Sequence, residues 1–407
     1  MLNRRTLLRG LGAFGCSAAA HPLFTTVTLA GTDGGAGLGE NRLVVIILRG
    51  AMDGLDVVRP VGDPDYARLR PSLSKGEEID LDGFFTLHAG LSGLAPLLSE
   101  GELAFVHATS TPYRNKRSHF TGQDLLEAGT GPDLPIEQVR DGWLNRLLQS
   151  VPGLRAETAF AVGRQDMRIL RGPAPVLEWS PDTAVDLSPQ AELLLEQIYH
   201  DDPLFQAAAA EALLLGEPED DDMAAMNPAR ALRQARKGES LRVADFAAEK
   251  LRGATRIAAF SLTGWDTHRG QGGGRAGRLG KSLQQLENVI LRLKSGLGPE
   301  IWGKTTVLAM TEFGRTAAEN GTAGTDHGTG GAMLAAGGAI AGGKVFGQWP
   351  GLSEAALFER RDLMPTSDVR AWAGHALRGL YGFDTGLLQG SVFPGLEMGP
   401  DPGLIRA

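Results

Sequence analysis

Three features of the sequence indicate an α/β fold in which helices cover both faces of a mostly parallel sheet. Five apolar runs of strand length are unbroken rather than alternating, which is typical of strands buried on both faces. An amphipathic helix lies between the third and fourth runs, as a crossover between parallel strands requires. The length of 407 residues, 42% of them hydrophobic, is ample for one large α/β domain.

The overall composition excludes several classes of protein. The formal net charge of -8 argues against a nucleic-acid partner, because such binding needs clustered lysines and arginines. A single cysteine, Cys16, excludes a disulfide framework and a cysteine-based metal site. Glycine is the outlier, with 56 residues, about twice its average share. We expect these glycines to serve tight turns and close approaches of the backbone.

The first 30 residues predict a twin-arginine export signal. Arg4 and Arg5 precede a moderately apolar stretch from Leu11 to Ala30, and we expect cleavage after Ala30. An N-terminal helix of the mature fold is the alternative. Glycine, proline and histidine dilute the apolar stretch, so no membrane span is expected after signal removal. The protein is therefore expected to be periplasmic or secreted, with the twin-arginine translocase as its partner during export.

The predicted elements follow one another along a single mature domain spanning residues 31–407. The five strands are expected at 43–48, 103–107, 257–262, 305–310 and 333–336. The crossover helix is marked by apolar residues spaced four and three apart, namely Leu279, Leu283, Leu286, Ile290 and Leu293. Residues 173–240 are rich in Ala, Leu and Glu and are predicted to form a helical insertion.

Polar residues at the strand ends are the candidate site, because ligands of open parallel sheets bind beyond the carboxyl ends of the strands. Taken singly, each is more often a helix cap, a turn former or a hydrogen-bonded surface residue. Carboxylates that converge with histidines repel one another unless a divalent cation neutralises them. Nitrogen and oxygen ligands suit Zn²⁺ or another first-row metal such as Mn²⁺, whereas carboxylates alone suit Mg²⁺ or Ca²⁺. The candidates are Asp53, Ser118, His119, Asp266, His268, Glu312, Asp326 and His327.

A series of motifs in order along the mature chain carries a family resemblance. They are RGAMDGLD, GDPDYARLRPSL, LDGFFTLHAGL, RSHFTGQD, GWDTH, TEFGRT and TDHGTGG. With the export signal, they resemble the exported bacterial family known as domain of unknown function 1501. That family is similar to the alkaline phosphatase and sulfatase superfamily, which implies a three-layer αβα, alkaline-phosphatase-like fold.

The superfamily resemblance implies a site with one or two divalent ions and a serine nucleophile. It matches Ser118 to the nucleophile, with Ser110 as a competitor because residues 110–114 imitate a sulfatase motif. The metal ligands that it implies are Asp53, Asp266, His268, Glu312 and His327.

Three departures from the superfamily pattern bear on the second ion. Asp266 and His268 are closer together in the sequence than their counterparts in phosphatases. Glu312 and Phe313 stand where the superfamily has an aspartate and a histidine. One of two metal sites is then incomplete, or is completed by His119, Asp326 or His88.

The resemblance implies the hydrolysis of a small anionic phosphate or sulfate ester. Arg315 or Arg117 would clamp the equatorial oxygens, for which a guanidinium is well shaped. In-line displacement would give a covalent seryl intermediate that water then releases. The alternative is a non-catalytic binding or assembly protein with a degenerate site, which Phe313 favours.

Overall fold

The computed structural model describes residues 37–114, 117–134, 139–163, 165–181 and 228–406, with side chains in the last range from residue 238 onward. These residues all fall within one compact unit, Gly34–Ala407. The predicted export signal over 1–30 lies outside the described residues. The predicted insertion over 173–240 lies mostly outside them as well, and its described ends contain a short strand and the start of a helix.

Twelve strands are present in the described part of the chain. They are β1 (Arg42–Arg49), β2 (Val58–Arg59), β3 (Glu78–Asp80), β4 (Thr86–His88), β5 (Leu103–Ser110), β6 (Ala159–Val162), β7 (Leu177–Trp179), β8 (Ile257–Thr263), β9 (Thr305–Met310), β10 (Gly331–Ala336), β11 (Lys344–Phe346) and β12 (Ser367–Asp368). The five strands predicted from apolar runs correspond to β1, β5, β8, β9 and β10 and are confirmed.

The main sheet has the order β11-β5-β10-β9-β1-β8-β6-β7, and β12 pairs with β5. Strand β10 is antiparallel to both of its neighbours, whereas the other paired strands of this sheet are parallel. The predicted mostly parallel sheet is therefore confirmed. Because β10 runs the opposite way, the segment that precedes it lies at the edge where β5, β9, β1 and β8 end. A second, smaller sheet has the order β2-β4-β3.

Helices connect the strands and cover the sheet. They are α1 (Gly54–Val57), α2 (Tyr66–Leu69), α3 (Ala95–Ser99), α4 (His119–Ala128), α5 (Trp143–Leu148), α6 (Pro228–Arg252), α7 (Arg278–Trp302), α8 (Val369–Tyr381) and α9 (Thr385–Leu387). Short 3₁₀ turns lie at Leu73–Lys75, Ala89–Leu94, Ala156–Thr158 and Arg168–Leu170, and a π turn lies at Leu388–Val392. The predicted crossover helix is α7, and all five of its marker residues are buried.

The two largest apolar clusters of the core lie on opposite faces of the sheet. Alternate residues of β1 enter different clusters: Leu43, Val45 and Ile47 pack with α5 and α8, and the residues between them pack with α6 and α7. An unbroken apolar strand is thus buried on both sides, which confirms the predicted three-layer αβα arrangement. Among the described helices, none has both the length and the apolar character needed to cross a bilayer.

A network of buried charges lies where β1 ends. Asp53 forms a two-pronged ion pair with Arg70, with contacts of 2.6 and 3.0 Å, and both side chains are shielded from solvent. Arg70 also donates to the carbonyl oxygens of Thr316 and Ala317. Burial raises the pKa of the neighbouring Asp56 carboxyl, and the Arg59 guanidinium at 2.7 Å opposes that rise. These contacts tie the end of β1 to α2 and to the segment after β9.

Replacing Arg70 by methionine should destabilise the fold strongly, because it leaves Asp53 buried with no cation beside it. We expect a loss of about 3–5 kcal/mol in the free energy of unfolding, measured with urea. Arg68→Met is the matched control, since Arg68 forms an exposed ion pair with Asp65, and it should cost less than about 1 kcal/mol. Equal losses in the two variants would contradict the structural role given to the Asp53–Arg70 pair.

Candidate metal centre

Three side chains from distant parts of the sequence meet at the carboxyl edge of the sheet. His119 opens α4, Asp266 follows β8, and His327 precedes β10. Each offers one ligand atom, and these atoms lie within 4.8 Å of one another. A fourth side chain, His268, lies beside them, with its Nε2 2.9 Å from His327 Nε2 and 3.2 Å from Asp266 Oδ1. We call these four residues the histidine cluster.

The first histidine of the cluster is oriented by a buried carboxylate. His119 Nδ1 lies 2.8 Å from Glu312 Oε1, which also accepts from Gly50 N and Gln123 Nε2, while Thr311 donates to Oε2. Burial alone would raise the pKa of Glu312, but the hydrogen bonds from His119, Gln123 and Thr311 hold it below its usual range. An ionised carboxylate only accepts, so Nδ1 of neutral His119 carries the proton and Nε2 carries the lone pair.

The other two histidines are held in the same way. His327 Nδ1 lies 2.8 Å from the carbonyl oxygen of Arg117, which can only accept. His268 Nδ1 lies 3.0 Å from Asp326 Oδ1, and this hydrogen bond holds the pKa of Asp326 below its usual range. In their neutral forms, both imidazoles therefore direct an Nε2 lone pair into the 2.9 Å contact between them. Two lone pairs at that distance repel, and a proton or a metal cation relieves the repulsion.

The neutral form of His327 is favoured by its surroundings. Burial lowers its pKa, and the neighbouring His119, Arg315 and His268 lower it further, against the opposing hydrogen bond to Arg117. The Nε2 atom of His119 is itself buried and has no hydrogen-bond partner among the described residues. An imidazole nitrogen with no hydrogen-bond partner is a possible metal ligand.

Arg315 fixes the carboxylate of the cluster. Its buried guanidinium donates to the carbonyl oxygens of Ala51 and Trp265 and, at 2.7 Å, to Asp266 Oδ1. Burial raises the pKa of Asp266, but Arg315 together with the cluster histidines brings it below its usual value. About half of the Asp266 side chain remains exposed, so the cluster is open to solvent on this side.

The other residue predicted to clamp an anion, Arg117, is also engaged. Its guanidinium contacts the carboxylates of Glu359 and Asp362, and its backbone has a left-handed φ of 46°. The same residue supplies the carbonyl that orients His327. In this arrangement Arg117 and Arg315 position the cluster.

The two candidate nucleophiles lie in different environments. Ser118 is the N-cap of α4, directly before His119, and its side chain makes no capping hydrogen bond. Its backbone N–H donates to Tyr113 Oη at 3.0 Å. Ser110 is buried, and its Oγ donates to the carbonyl oxygen of Thr111 at 2.9 Å. The hydroxyl of Ser118 is therefore the more available of the two.

Several residues implied as ligands have other partners. Asp53 is held by Arg70 and by Gln271 Nε2, each at 2.6 Å. Glu312 and Asp326 bond the Nδ1 atoms of cluster histidines. His88 is buried, with its Nδ1 accepting from Gly90 N.

Sequence reasoning did not single out Arg70 or Gln271, and it gave Phe313 no packing role. Arg70 lies within the quoted motif GDPDYARLRPSL, and a buried aspartate at a strand end needs a cation, so that signal was present. Gln271 stands alone among glycines, and no local pattern identifies it. Phe313 stacks on the His119 ring at a centroid distance of 5.2 Å and also contacts His327, forming an apolar wall of the cluster.

Two glycines let the backbone segments approach one another here. A Cβ at Gly50 would lie 2.6 Å from the Asp266 nitrogen, and its φ of +123° is unfavourable for other residues. A Cβ at Gly324 would lie 2.4 Å from the carbonyl group of His268. The predicted use of glycine for close approach is confirmed at both positions.

Comparison with known proteins gives a family match and several structural likenesses. A family model described as "Protein of unknown function (DUF1501)" matches residues 109–377. The structure is similar to that of the PsFucS1 sulfatase from Pseudoalteromonas sp., with a TM-score of 0.44 and 12% identity over 91% of this chain and 74% of the sulfatase. It is also similar to the C-terminal periplasmic domain of EcEptC from Escherichia coli, with a TM-score of 0.31 and 8% identity over 73% and 72% of the two chains. No curated protein matches the sequence.

Two substitutions at Glu312 should separate its hydrogen-bonding role from its charge. Glu312→Gln keeps an accepting oxygen for His119, so we expect the Nδ1–H tautomer to persist and stability to change by about 1 kcal/mol or less. Glu312→Leu removes that acceptor and leaves buried N–H groups unpaired, which should cost about 3 kcal/mol and release the single tautomer. Histidine ¹⁵N NMR and urea unfolding measure the two effects, and identical behaviour of the variants would contradict this role.

Proposed function

We propose that this chain, which belongs to the DUF1501 family, is an exported metal-dependent hydrolase of phosphate or sulfate esters. The observation that carries the proposal is the convergence of His119, Asp266 and His327, with His268 Nε2 beside them. The family match over residues 109–377 confirms the resemblance drawn from the motifs.

The donor set of the cluster fits a first-row divalent ion. Imidazole nitrogens with one carboxylate oxygen are typical ligands of Zn²⁺, whereas Mg²⁺ and Ca²⁺ prefer oxygen alone. The unpartnered Nε2 of His119 and the close pair of Nε2 atoms at His268 and His327 are the atoms that would hold it. Each of these histidines has its Nδ1 hydrogen-bonded to an acceptor, as metal-bound histidines almost always do.

We propose one ion rather than two, because Asp53, one of the implied metal ligands, is already paired with the cationic side chain of Arg70. The carboxylate of Asp53 is occupied by Arg70 and Gln271, and Phe313 fills the space beside the cluster with an apolar ring. An ion at the histidine cluster would supply positive charge against a phosphate or sulfate group and lower the pKa of a nearby hydroxyl.

The proposed nucleophile is Ser118. It lies next to His119 in the chain and precedes the first turn of α4, whose free backbone N–H groups favour an anionic group. Its hydroxyl is free of a capping bond, so it can turn toward an ester held at the helix end. Phe313 shields one face of His119 from water, and Arg315 keeps Asp266 in place.

The second candidate function is a non-catalytic binding or assembly protein. The ion pair between Asp53 and Arg70 favours this function, because it leaves Asp53 unavailable as a metal ligand. Such a protein would bind an ion or an anion without turnover.

Export by the twin-arginine translocase to the periplasm or the exterior is part of the proposal and rests on Arg4, Arg5 and the apolar stretch that follows. The proposed substrate is a small anionic ester. We propose no nucleic-acid partner and no membrane span in the mature chain.

Metal analysis of the purified chain should find about one Zn²⁺ per molecule, because one complete set of donors is present. His327→Ala removes a ligand and should weaken Zn²⁺ binding at least about 100-fold in a chelator competition. The matched control is His375→Ala, a buried histidine of α8 bonded to the Met398 carbonyl, which should leave the affinity unchanged. Two ions per chain would contradict the single-ion assignment, and none would contradict the metal centre itself.

Ser118→Ala should abolish turnover of phosphate and sulfate esters by the Zn²⁺-loaded protein, with a fall of at least about 10³-fold in kcat. Ser110→Ala is the control and should keep most of the activity, since its hydroxyl is committed to Thr111. A broad panel of esters is the measurement. If the Zn²⁺-loaded wild type turned over no ester, the binding-protein function would be favoured. If only Ser110→Ala lost turnover, Ser110 would be the nucleophile instead of Ser118.

A further inference from the structure

Gln271 is a buried side chain whose carboxamide makes four hydrogen bonds. Its Oε1 accepts from the hydroxyls of Thr267 at 2.8 Å and Thr325 at 2.9 Å. Its Nε2 donates to Asp53 Oδ2 at 2.6 Å and Asp56 Oδ2 at 2.8 Å. A carboxamide has two acceptor sites and two donor hydrogens, so the group is saturated and can lie only one way round.

The two threonines stand inside the segments that carry the histidine cluster. Thr267 lies between Asp266 and His268, and Thr325 directly precedes Asp326 and His327. Both threonines are completely buried, and the amide of Thr325 also donates to the Thr267 carbonyl. One oxygen atom of Gln271 therefore joins the segment after β8 to the segment before β10.

The other end of Gln271 is attached to the buried ion pairs at this edge. Asp53 and Asp56 are fixed by the buried guanidinium groups of Arg70 and Arg59. The backbone of Gln271 is held as well, because its amide donates to the Ala323 carbonyl at 2.8 Å. A shift of either cluster segment must therefore break a buried hydrogen bond to an anchored group.

We propose that Gln271 is a positioning residue of the metal centre, which sets the separation of the cluster histidines by holding Thr267 and Thr325 against the Asp53–Asp56 network. The inference rests on the proposed function for the presence of an ion, and it concerns a residue that contacts no ligand atom. Its role is geometric: with the link in place, the Nε2 atoms of His268 and His327 are held 2.9 Å apart.

The test compares two buried amides of equal saturation. Gln271→Met removes the link while keeping the length of the side chain. Asn145→Leu is the matched control, since Asn145 is also fully buried and also makes four hydrogen bonds, at α5 and away from the cluster. For each protein we would measure the urea midpoint, the Zn²⁺ affinity by chelator competition, and the visible absorption of the Co²⁺-substituted form.

Both variants should lose stability, but only Gln271→Met should change the metal centre. We expect its Zn²⁺ affinity to fall about tenfold, the low end of what outer hydrogen-bond partners of ligands contribute, and its Co²⁺ spectrum to shift. Asn145→Leu should keep the wild-type affinity and spectrum. A purely structural role of Gln271 would change neither the Zn²⁺ affinity nor the Co²⁺ spectrum.

Two further variants keep the test decisive where Gln271→Met does not fold. Thr267→Val and Thr325→Val each remove one hydroxyl from the link and should each weaken Zn²⁺ binding several-fold. In the Gln271→Met background the same changes should have little further effect, since the link is already gone. Wild-type affinity in the variants of Gln271, Thr267 and Thr325 would overturn this inference alone. A wild-type chain that binds no Zn²⁺ would overturn the proposed function and this inference with it.

Discussion

The carboxylates gathered at the carboxyl edge of the sheet must each be neutralised or hydrogen-bonded, and the surrounding helices and loops are arranged to do so. A carboxylate follows the end of each of the strands β1, β8 and β9, namely Asp53, Asp266 and Glu312. A buried carboxylate is costly unless a cation or several hydrogen bonds accompany it. The short helices after β1, the position of Arg70 and the hydrogen bonds of Glu312 all meet that requirement.

The edge meets the requirement in two chemically different ways. Asp53 and Asp56 are compensated by arginines, whose guanidinium groups donate but have no lone pair left to offer. Glu312 and Asp326 are compensated by histidines, whose Nδ1 atoms donate while Nε2 stays available. Only the histidine half leaves nitrogen lone pairs available, so the choice of partner gives the two halves of the edge different chemistry.

The five main strands and α7 could be predicted from the sequence, because buried strands and an amphipathic helix leave clear local patterns. The residues that meet in the cluster could be predicted from their positions beside the strand ends. The sequence was not sufficient for the roles of Glu312 and Asp326. Residue type alone does not tell a carboxylate that binds a metal from one that bonds a histidine Nδ1. It also could not reveal that β10 runs antiparallel, which is what brings His327 to the edge. The link through Gln271 depends on tertiary approach and has no local pattern.

The charges around the cluster argue for a single divalent ion independently of ligand geometry. The carboxylates in contact with its histidines are Asp266, Glu312 and Asp326, and Arg315 neutralises one of these three charges. The remainder is two negative charges, which one divalent cation balances. Asp53 and Asp56 contribute nothing to this balance, because each has its own arginine. A second ion would leave the edge with an excess of two positive charges. Releasing Asp53 from Arg70 would offset only one of them, and it would leave a buried guanidinium without its counter-ion.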